Sequence, residues 1–273
     1  MRETAPATAT AVGEAAAPGP AAVTFTKRRL GAPTGLFAVE AAGLRWLAAA
    51  GGVPVVKPLS VSDEALVLPR LPEIAPTPEA AATFGRLLAI THDAGAPTFG
   101  SPPDGWRGDG YIGPLGLPHR PGEHWGAWFA EFRVLPYLRS ARDAGNLNRD
   151  EAETIGHVLD RLADPESGLA DPGEPARLHG DLWNGNVLWT EGGVMLIDPA
   201  AHGGHRETDL AMLTLFGLPH LDRVLDTYVE QHPLAEGWHE RAGLHQLHPL
   251  LVHATRFGGG YGAHAAAIAH RFA

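Results

Sequence analysis

The sequence predicts an α+β protein with two lobes, a small β-rich N-terminal lobe and a large, mainly helical C-terminal lobe. Strand-like segments lie before residue 72, and apolar residues at helical spacing dominate the chain after it. The linker-like sequence EIAPTP separates the two regions. With 273 residues, 44% of them hydrophobic, the chain can bury a sizeable core. We therefore predict lobes at residues 1–72 and 73–273, and we expect residues 1–22 to be flexible or weakly ordered.

The N-terminal lobe is expected to contain a strand, a helix and a second strand. The segment VTFTKR alternates apolar and polar residues, which places Phe25 and Lys27 on the same face of a strand. Apolar residues recur at helical spacing over residues 36–50, with Glu40 among them. The apolar segment ALVLPRL at residues 65–71 predicts a buried strand that its prolines end.

Three apolar stripes at helical spacing predict helices in the C-terminal lobe. A stretch rich in Gly and Pro at residues 99–118 separates the first two stripes, and its length suits a loop at the rim of a substrate pocket. The part from Leu244 to Phe272 is again helical, with a break at GGGYG. The stripes are Phe84, Leu87, Leu88 and Thr91; Trp125, Trp128, Phe129, Phe132, Leu135 and Leu138; and Ile155, Val158, Leu159 and Leu162.

Residues 177–198 contain the strongest chemical signal of the chain. Two apolar runs, VLW and VMLI, flank a Glu-Gly-Gly turn and predict a β-hairpin. Asp181 and Asn186 precede the first strand and Asp198 follows the second, so the three side chains can converge at the open end of the hairpin. Two carboxylates and an amide suit Mg²⁺, which prefers oxygen ligands. The pattern is typical of phosphoryl transfer, in which one Asp takes the acceptor's proton while an Asn and a second Asp hold the metal.

Composition and charge exclude several other classes of protein. The 31 acidic and 21 basic residues give a formal net charge of -10, the opposite of a nucleic-acid-binding surface. We therefore do not expect nucleic acid as a partner. No window is apolar enough to span a membrane, so we do not expect a membrane as a partner either. The absence of cysteine favours the cytoplasm, and no cysteine or HExxH helix completes a zinc site with the 15 histidines. We expect a monomer or a weak homodimer.

Several motifs in this chain resemble those of the fructosamine kinase (ketosamine-3-kinase) family. The central motif is HGDLWNGN, followed by IDPA and GHRETDLAM. Further similar segments are TFTK, FAVEAAGL and LVLP near the start and LHQLHPLLVHATRFGGGYG near the end. The similarity therefore runs from about residue 23 to the C-terminus. It implies the aminoglycoside phosphotransferase-like, protein-kinase-like fold.

The resemblance also implies roles for residues of the central motif. Asp181 would be the catalytic base that orients and deprotonates the substrate hydroxyl. Asn186 and Asp198 would hold Mg²⁺, and His179 would brace the loop. Trp183, two residues after the base, could stack on a sugar or on its amine-linked group.

On the nucleotide side, the resemblance implies ATP as the phosphate donor. Lys27 matches the strand lysine that contacts the α- and β-phosphates, and Glu40 matches the helix glutamate that pairs with it. Pro69 stands where the family usually has an acid, and it has no N–H to offer adenine. The hinge donor is therefore expected to be Arg70 or Leu71. The segment before Lys27 lacks the GxGxxG spacing of a phosphate-covering loop.

The resemblance implies a kinase that phosphorylates a sugar hydroxyl of a ketosamine such as a fructosamine or ribulosamine, free or protein-bound, as a step of deglycation. Two alternatives stay open. One is a kinase of the same fold that acts on another alcohol, such as an aminoglycoside, choline or an amino sugar. The other is a non-catalytic pseudokinase, which the thin nucleotide-covering segment and Pro69 motivate.

Overall fold

The first described elements form a three-stranded antiparallel sheet beside a helix. The computed structural model describes residues 23–170 and 173–273. The first elements are β1 (Thr24–Arg28), α1 (Leu36–Ala48), β2 (Ser60–Val61) and β3 (Ala65–Pro69). The strand order is β1-β3-β2, which confirms the predicted strand, helix and strand with small shifts at their ends. The expectation of weak order in residues 1–22 lies outside the described residues.

The register of this sheet decides where the lysine of β1 points. Phe25 lies opposite Leu68, and Lys27 lies opposite Leu66. Directly opposed residues of antiparallel strands share a face, so Phe25 and Lys27 lie on the same side as these two buried leucines of β3. The alternation in the sequence therefore predicted this face correctly.

The helices after the sheet follow the predicted stripes, with one difference. The stripe from Trp125 to Leu138 is a helical run interrupted by a π-helical turn at Ala130–Val134. Pro136 follows this turn in the first turn of the next helix, and it has no N–H for the regular i→i−4 ladder, so the hydrogen-bond pattern changes there. The helices of this part are α2 (Pro78–Asp93), α3 (Trp125–Phe129), α4 (Leu135–Asp143) and α5 (Arg149–Ala163).

The stretch 99–118, predicted as a loop, contains a short hairpin. Its strands are β4 (Gly110–Ile112) and β5 (Leu115–Leu117), which pair in antiparallel register around Gly113. Each strand has three residues, too few for an apolar alternation to be recognised in the sequence. The Tyr111 hydroxyl donates a hydrogen bond to the Thr34 carbonyl oxygen at 3.1 Å, so this hairpin contacts the segment just before α1.

The predicted hairpin of the central motif is confirmed. It consists of β7 (Val187–Thr190) and β8 (Gly193–Leu196), and a second pair joins β6 (Ala176–Leu178) to β9 (His202–Gly204). The remaining helices are α6 (Arg206–Phe216), α7 (Leu221–Gln231), α8 (Trp238–Phe257) and α9 (Tyr261–Ala269). The break between α8 and α9 falls at the predicted GGGYG. None of the helices in the described ranges is long and apolar enough to cross a membrane.

Two hydrophobic clusters form the core. One is built mainly from α3, α4, α5, α8 and α9. The other joins the N-terminal sheet and α1 to α2, α7 and the β7–β8 hairpin, for example through Leu44, Phe84 and Trp189. Residues on both sides of position 72 therefore share one cluster, and the lobe boundary stays a prediction. Backbone bonds between Leu196 and the segment at Pro54–Val56 add a second link between these regions.

Candidate active site

The loop between β6 and β7 carries the central motif, and a buried carboxylate fixes its backbone. Asp209 of α6 accepts hydrogen bonds from the backbone N–H of His179 at 2.8 Å and from that of Gly180 at 3.0 Å. Its Oδ2 also lies 3.2 Å from His92 Nε2. Burial would raise the pKa of Asp209, but these bonds and the nearby His92 and His179 rings outweigh it and lower that pKa. Asp209 is therefore a charged anchor for the loop.

Two further features hold the loop in place. His179 Nε2 donates to the Ile197 carbonyl oxygen at 2.9 Å, which ties the loop to the end of β8 next to Asp198. Gly180 has φ +79°, and a Cβ at this position would lie 2.3 Å from the Ala200 carbonyl oxygen. Only glycine fits both the backbone conformation and this close contact. The two sequence segments HGD and IDPA are thus in direct contact.

Asp181, Asn186 and Asp198 converge as their positions around the hairpin predict. The Asn186 Nδ2 donates to the Asp181 carbonyl oxygen at 2.7 Å and to Asp181 Oδ2 at 3.1 Å. The same nitrogen lies 3.5 Å from the Asp198 carbonyl oxygen. Asp198 has φ +55°, a conformation that is uncommon for residues other than glycine and that often marks a functional site. Its side chain is 38% exposed, so the carboxylate is open to a ligand.

The Asp181 carboxyl is poised to exchange a proton. Burial raises its pKa to about 7, although the hydrogen bond from Asn186 lowers it. The negative charges of Asp198 and Asp209 add to the rise, and the positive charge of Arg256 opposes it. A carboxyl with a pKa near neutrality is well matched to general-base work.

The ammonium group of Lys27 contacts the carboxylates of Glu40 and Asp198, and the three side chains form a charged triangle. The Lys27 Nζ is 2.8 Å from both carboxylate oxygens of Glu40 and 3.0 Å from Asp198 Oδ1. Burial alone would lower the pKa of Lys27, but the two carboxylates outweigh it and raise that pKa. Burial also raises the pKa of Glu40, against the effect of Lys27. Strand β1, helix α1 and the end of β8 therefore meet at one ammonium group.

Helix α1 is held against the C-terminal half by two contacts. A Cβ at Gly43 would lie 3.0 Å from the Ala201 Cβ, so the helix packs directly on the segment after Asp198. Arg177 Nη1 donates to the Trp46 carbonyl oxygen at 2.7 Å, and the guanidinium lies 4.5 Å from the Trp46 ring centroid. These contacts fix the helix that presents Glu40.

The charged groups line a cleft of about 450 Å³. Its walls include Lys27, Glu40, Asp181 and Asp198, together with residues of the β4–β5 hairpin such as Gly113. The stretch 99–118 therefore contributes to the rim, as predicted.

Trp183 lies at the start of an aromatic ledge on the C-terminal half. Its side chain is 41% exposed, and its ring packs edge-on against Phe216 at 6.3 Å between centroids. Phe216 in turn contacts His253 at 5.0 Å, and His253 contacts Phe257 at 5.6 Å. Neighbouring rings are inclined to one another by 40–66°. An exposed aromatic face such as that of Trp183 suits the face of a sugar or an amine substituent. Trp189, by contrast, is a core residue.

Comparisons with known proteins decide the family. A sequence profile of the fructosamine kinase family matches residues 21–272. A probable ketoamine kinase from Thermus thermophilus is 36% identical over 230 residues, which cover 84% of this chain and 79% of that relative. The chain belongs to the fructosamine kinase family.

Solved structures agree with this membership of the fructosamine kinase family. A candidate fructosamine-3-kinase from Thermobifida fusca superposes with a TM-score of 0.85 at 50% identity, covering 92% of this chain and 85% of that one. An aminoglycoside phosphotransferase superposes with a TM-score of 0.55 at 18% identity, covering 88% and 83% of the two chains. The latter likeness shows the fold alone. The predicted kinase-like α+β fold is confirmed, and the chain is a phosphotransferase of the fructosamine kinase family.

The two residues predicted as hinge donors, Arg70 and Leu71, differ in their backbone hydrogen bonds. The Arg70 N–H donates to the Val23 carbonyl oxygen at 2.9 Å, so it is already used in the continuation of the β1–β3 pairing. The Leu71 N–H has no hydrogen-bond partner in the described ranges. Of the two predicted donors, Leu71 is therefore the one whose N–H has no partner among the described residues, and the hinge contact to adenine stays a prediction.

Sequence reasoning missed several residues that shape the site. The hydrogen bonds of Asp209 to the HGD backbone arise from the tertiary fold and follow from no spacing in the sequence. His92 completes the anchor: its ring lies 2.8 Å from the Tyr228 hydroxyl through Nδ1. Neither His92 nor Arg177 carries any sequence signal, because each acts on residues more than eighty positions away.

A buried group of two histidines and a glutamate lies outside the set of residues that line the cleft. His205, Glu207 and His245 are buried and have possible ligand atoms within 4.8 Å of one another. Arg241, however, donates to both carboxylate oxygens of Glu207, at 3.0 and 2.6 Å. The carboxylate is thus engaged in a buried ion pair with hydrogen bonds.

Proposed function

We propose that the protein is an ATP- and Mg²⁺-dependent kinase that phosphorylates a sugar hydroxyl of a ketosamine, such as a fructosamine or ribulosamine, as a step in deglycation. One observation carries the proposal: Asp181 and the Lys27–Glu40–Asp198 triangle line one cleft, and the buried Asn186 donates a hydrogen bond to the Asp181 carboxylate. The names of relatives, which are described as probable ketoamine kinases, support the substrate class.

On the acceptor side, Asp181 orients the attacking hydroxyl and accepts its proton. The hydroxyl oxygen forms a bond to the γ-phosphorus while the bond from that phosphorus to the bridging oxygen breaks, and ADP leaves. Asn186 fixes the Asp181 carboxylate through its Nδ2, so the base does not have to reorganise during the reaction. Trp183 offers its exposed face to the sugar or its substituent.

On the donor side, Lys27 binds the α- and β-phosphates, and Glu40 holds it in position. The Leu71 N–H, which has no partner among the residues described, is the proposed adenine contact. Two residues present fit Mg²⁺: Asp198 offers an open carboxylate, and Asn186, whose nitrogen is spent on Asp181, has its amide oxygen left. The chemistry that Mg²⁺ supplies when bound is neutralisation of charge on the triphosphate.

The test is ATP consumption with a ribulosamine, a fructosamine, an aminoglycoside and choline, measured with and without Mg²⁺. We expect turnover on the ketosamines, dependence on Mg²⁺, and loss of turnover in Asp181→Asn with retained ATP binding by calorimetry. The matched control is Asp160→Asn, an exposed aspartate of α5.

Each contrary outcome identifies a different error. Turnover only on choline or the aminoglycoside would support the proposed mechanism but show that the substrate is not a ketosamine. Full activity of Asp181→Asn would remove Asp181 as the base. Failure to bind Mg²⁺-ATP would indicate a non-catalytic protein.

A further inference from the structure

Arg256 lies in the last turn of α8, directly against the hairpin that forms the rim of the cleft. A Cβ at Gly113 would lie 2.6 Å from Arg256 Nη1 and 3.1 Å from its Cζ, so the guanidinium packs directly on the turn of the hairpin. Gly113 lines the cleft together with Asp181. On its other side, the guanidinium lies 4.6 Å from the Phe257 ring centroid, at the outer end of the aromatic ledge.

This guanidinium is exposed and has no carboxylate partner within the part of the chain that the structure describes. Across residues 23–170 and 173–273, Arg256 makes neither a hydrogen bond nor an ion pair. Arg120, which lies just after the rim stretch 99–118, pairs with Asp109, and Arg206 pairs with Asp93. Lys27, the cation on the donor side, is neutralised by Glu40 and Asp198. The donors of Arg256 are therefore available to a ligand.

The electrostatic setting favours an anion beside Arg256. The lining of the cleft mixes three acidic residues, Glu40, Asp181 and Asp198, with three basic ones, Lys27, Arg28 and Arg29. Arg256 adds a positive charge beside Gly113, and a positive charge there attracts an anionic acceptor. The charge of Arg256 reaches the cleft, because it acts on the Asp181 carboxyl and lowers its pKa. A guanidinium presents a planar fork of N–H donors that matches a carboxylate or a phosphate.

We propose that Arg256 is a specificity-determining residue of the acceptor site and binds an anionic group of the ketosamine. This inference rests on the proposed function. The anion can be the carboxylate of an amino-acid-derived ketosamine or a phosphate on the terminal carbon of its sugar. In either case the sugar hydroxyl lies at Asp181 and the anion lies beside Gly113.

The experiment uses matched pairs of acceptors that differ only in the anion. The first pair is the fructosamine of β-alanine and that of its amide, and the second is a ribulosamine with and without a 5-phosphate. Steady-state kcat and KM are measured for the wild type, Arg256→Gln and Arg256→Lys. Arg139→Gln, which changes an exposed arginine of α4, is the control.

We expect the wild type to prefer the anionic member of at least one pair. Arg256→Gln should raise KM for that acceptor about tenfold or more, the effect of losing a charge-assisted hydrogen bond. KM for the neutral member and the melting temperature should be unchanged, and Arg256→Lys should recover part of the affinity. The pair that responds identifies the source of the anion.

Three outcomes would overturn the proposal. Equal KM values for both members of both pairs in the wild type would show that the acceptor site does not recognise an anionic group. A loss in Arg256→Gln that is equal for charged and neutral acceptors, with a lower melting temperature, would assign the arginine to stabilising the end of α8. Turnover of no ketosamine would overturn the proposed function as well, whereas turnover without discrimination leaves that function intact.

Discussion

Replacing Asp209 by Asn tests whether this carboxylate holds the catalytic loop. The side chain is buried and accepts three hydrogen bonds, two from the backbone N–H groups of His179 and Gly180 and one from His92. An Asn side chain has one acceptor oxygen, so its NH₂ group must face at least one of these donors. The variant therefore loses a bond and gains a buried contact between two donors.

The size of the effect follows from these contacts. A hydrogen bond to a charged group contributes about 1.5–3 kcal/mol, and an unsatisfied buried donor costs about 1–3 kcal/mol. We expect the free energy of unfolding to fall by about 3–5 kcal/mol in Asp209→Asn. The loop also loses the anchor next to Asp181, and a displacement of about 1 Å there would lower kcat about 100-fold.

Urea denaturation and steady-state kinetics measure both effects. With an m-value of about 2–3 kcal/mol per molar, the unfolding midpoint should fall by more than about 1 M. The matched control is Asp93→Asn: Asp93 is partly exposed and pairs with Arg206 at 2.9 Å, so its loss should cost less than about 1 kcal/mol. An unchanged midpoint and an unchanged kcat in Asp209→Asn would refute the assignment of this residue as the anchor.

Three further changes have distinct expected results. Glu40→Gln removes the charge that holds Lys27 at 2.8 Å, and we expect kcat/KM for ATP to fall about 10–100-fold in initial-rate measurements. Gly185→Ala places a Cβ 2.4 Å from the Trp183 ring, so the ring must shift and KM for the acceptor should rise about 3–10-fold with little change in kcat. His248→Gln removes a buried ring whose pKa burial lowers from 6.5 to about 3. Between these pH values the unfolded chain takes up a proton that the folded chain does not, so stability falls with falling pH by about 1.4 kcal/mol per unit from this group. The variant should lose that part of the pH dependence of the melting temperature, about 3–5 °C per pH unit.

Specific results would contradict each of these expectations. Unchanged ATP kinetics in Glu40→Gln would show that Asp198 alone positions Lys27. An unchanged acceptor KM in Gly185→Ala would separate Trp183 from the acceptor. A His248→Gln variant with the wild-type slope between pH 6.5 and 4 would assign the acid sensitivity to other groups, such as His245, whose pKa burial lowers to about 4.

Much of the fold could be predicted because its signals are local. The stripe of Ile155, Val158, Leu159 and Leu162 lies on one face of α5, and the apolar runs around Glu-Gly-Gly form β7 and β8. The failures are also local in origin. The three-residue strands β4 and β5 are too short for a periodic pattern, and a proline altered the helical run after Trp125.

In the candidate site, too, some features could be predicted from the sequence and others could not. The positions of Asp181, Asn186 and Asp198 around a hairpin were sufficient to predict that they converge. A hairpin with a short turn brings the start of its first strand next to the end of its second strand. The roles of Lys27 and Glu40 came from family resemblance. No spacing in the sequence could give the 3.0 Å distance between Lys27 and Asp198, which lie on distant parts of the chain.

The sequence by itself determined most of the helices, the hairpin of the central motif and the oxygen-bearing side chains of the cleft, since periodicity, turn residues and side-chain chemistry act over a few positions. Only the tertiary structure decided that Asp209 anchors the HGD backbone, that Arg177 holds α1, and that Arg256 lies on the rim beside Gly113. These contacts join residues far apart in the chain. They exist because packing of the hydrophobic core brings their helices and strands together, and no local pattern encodes that approach.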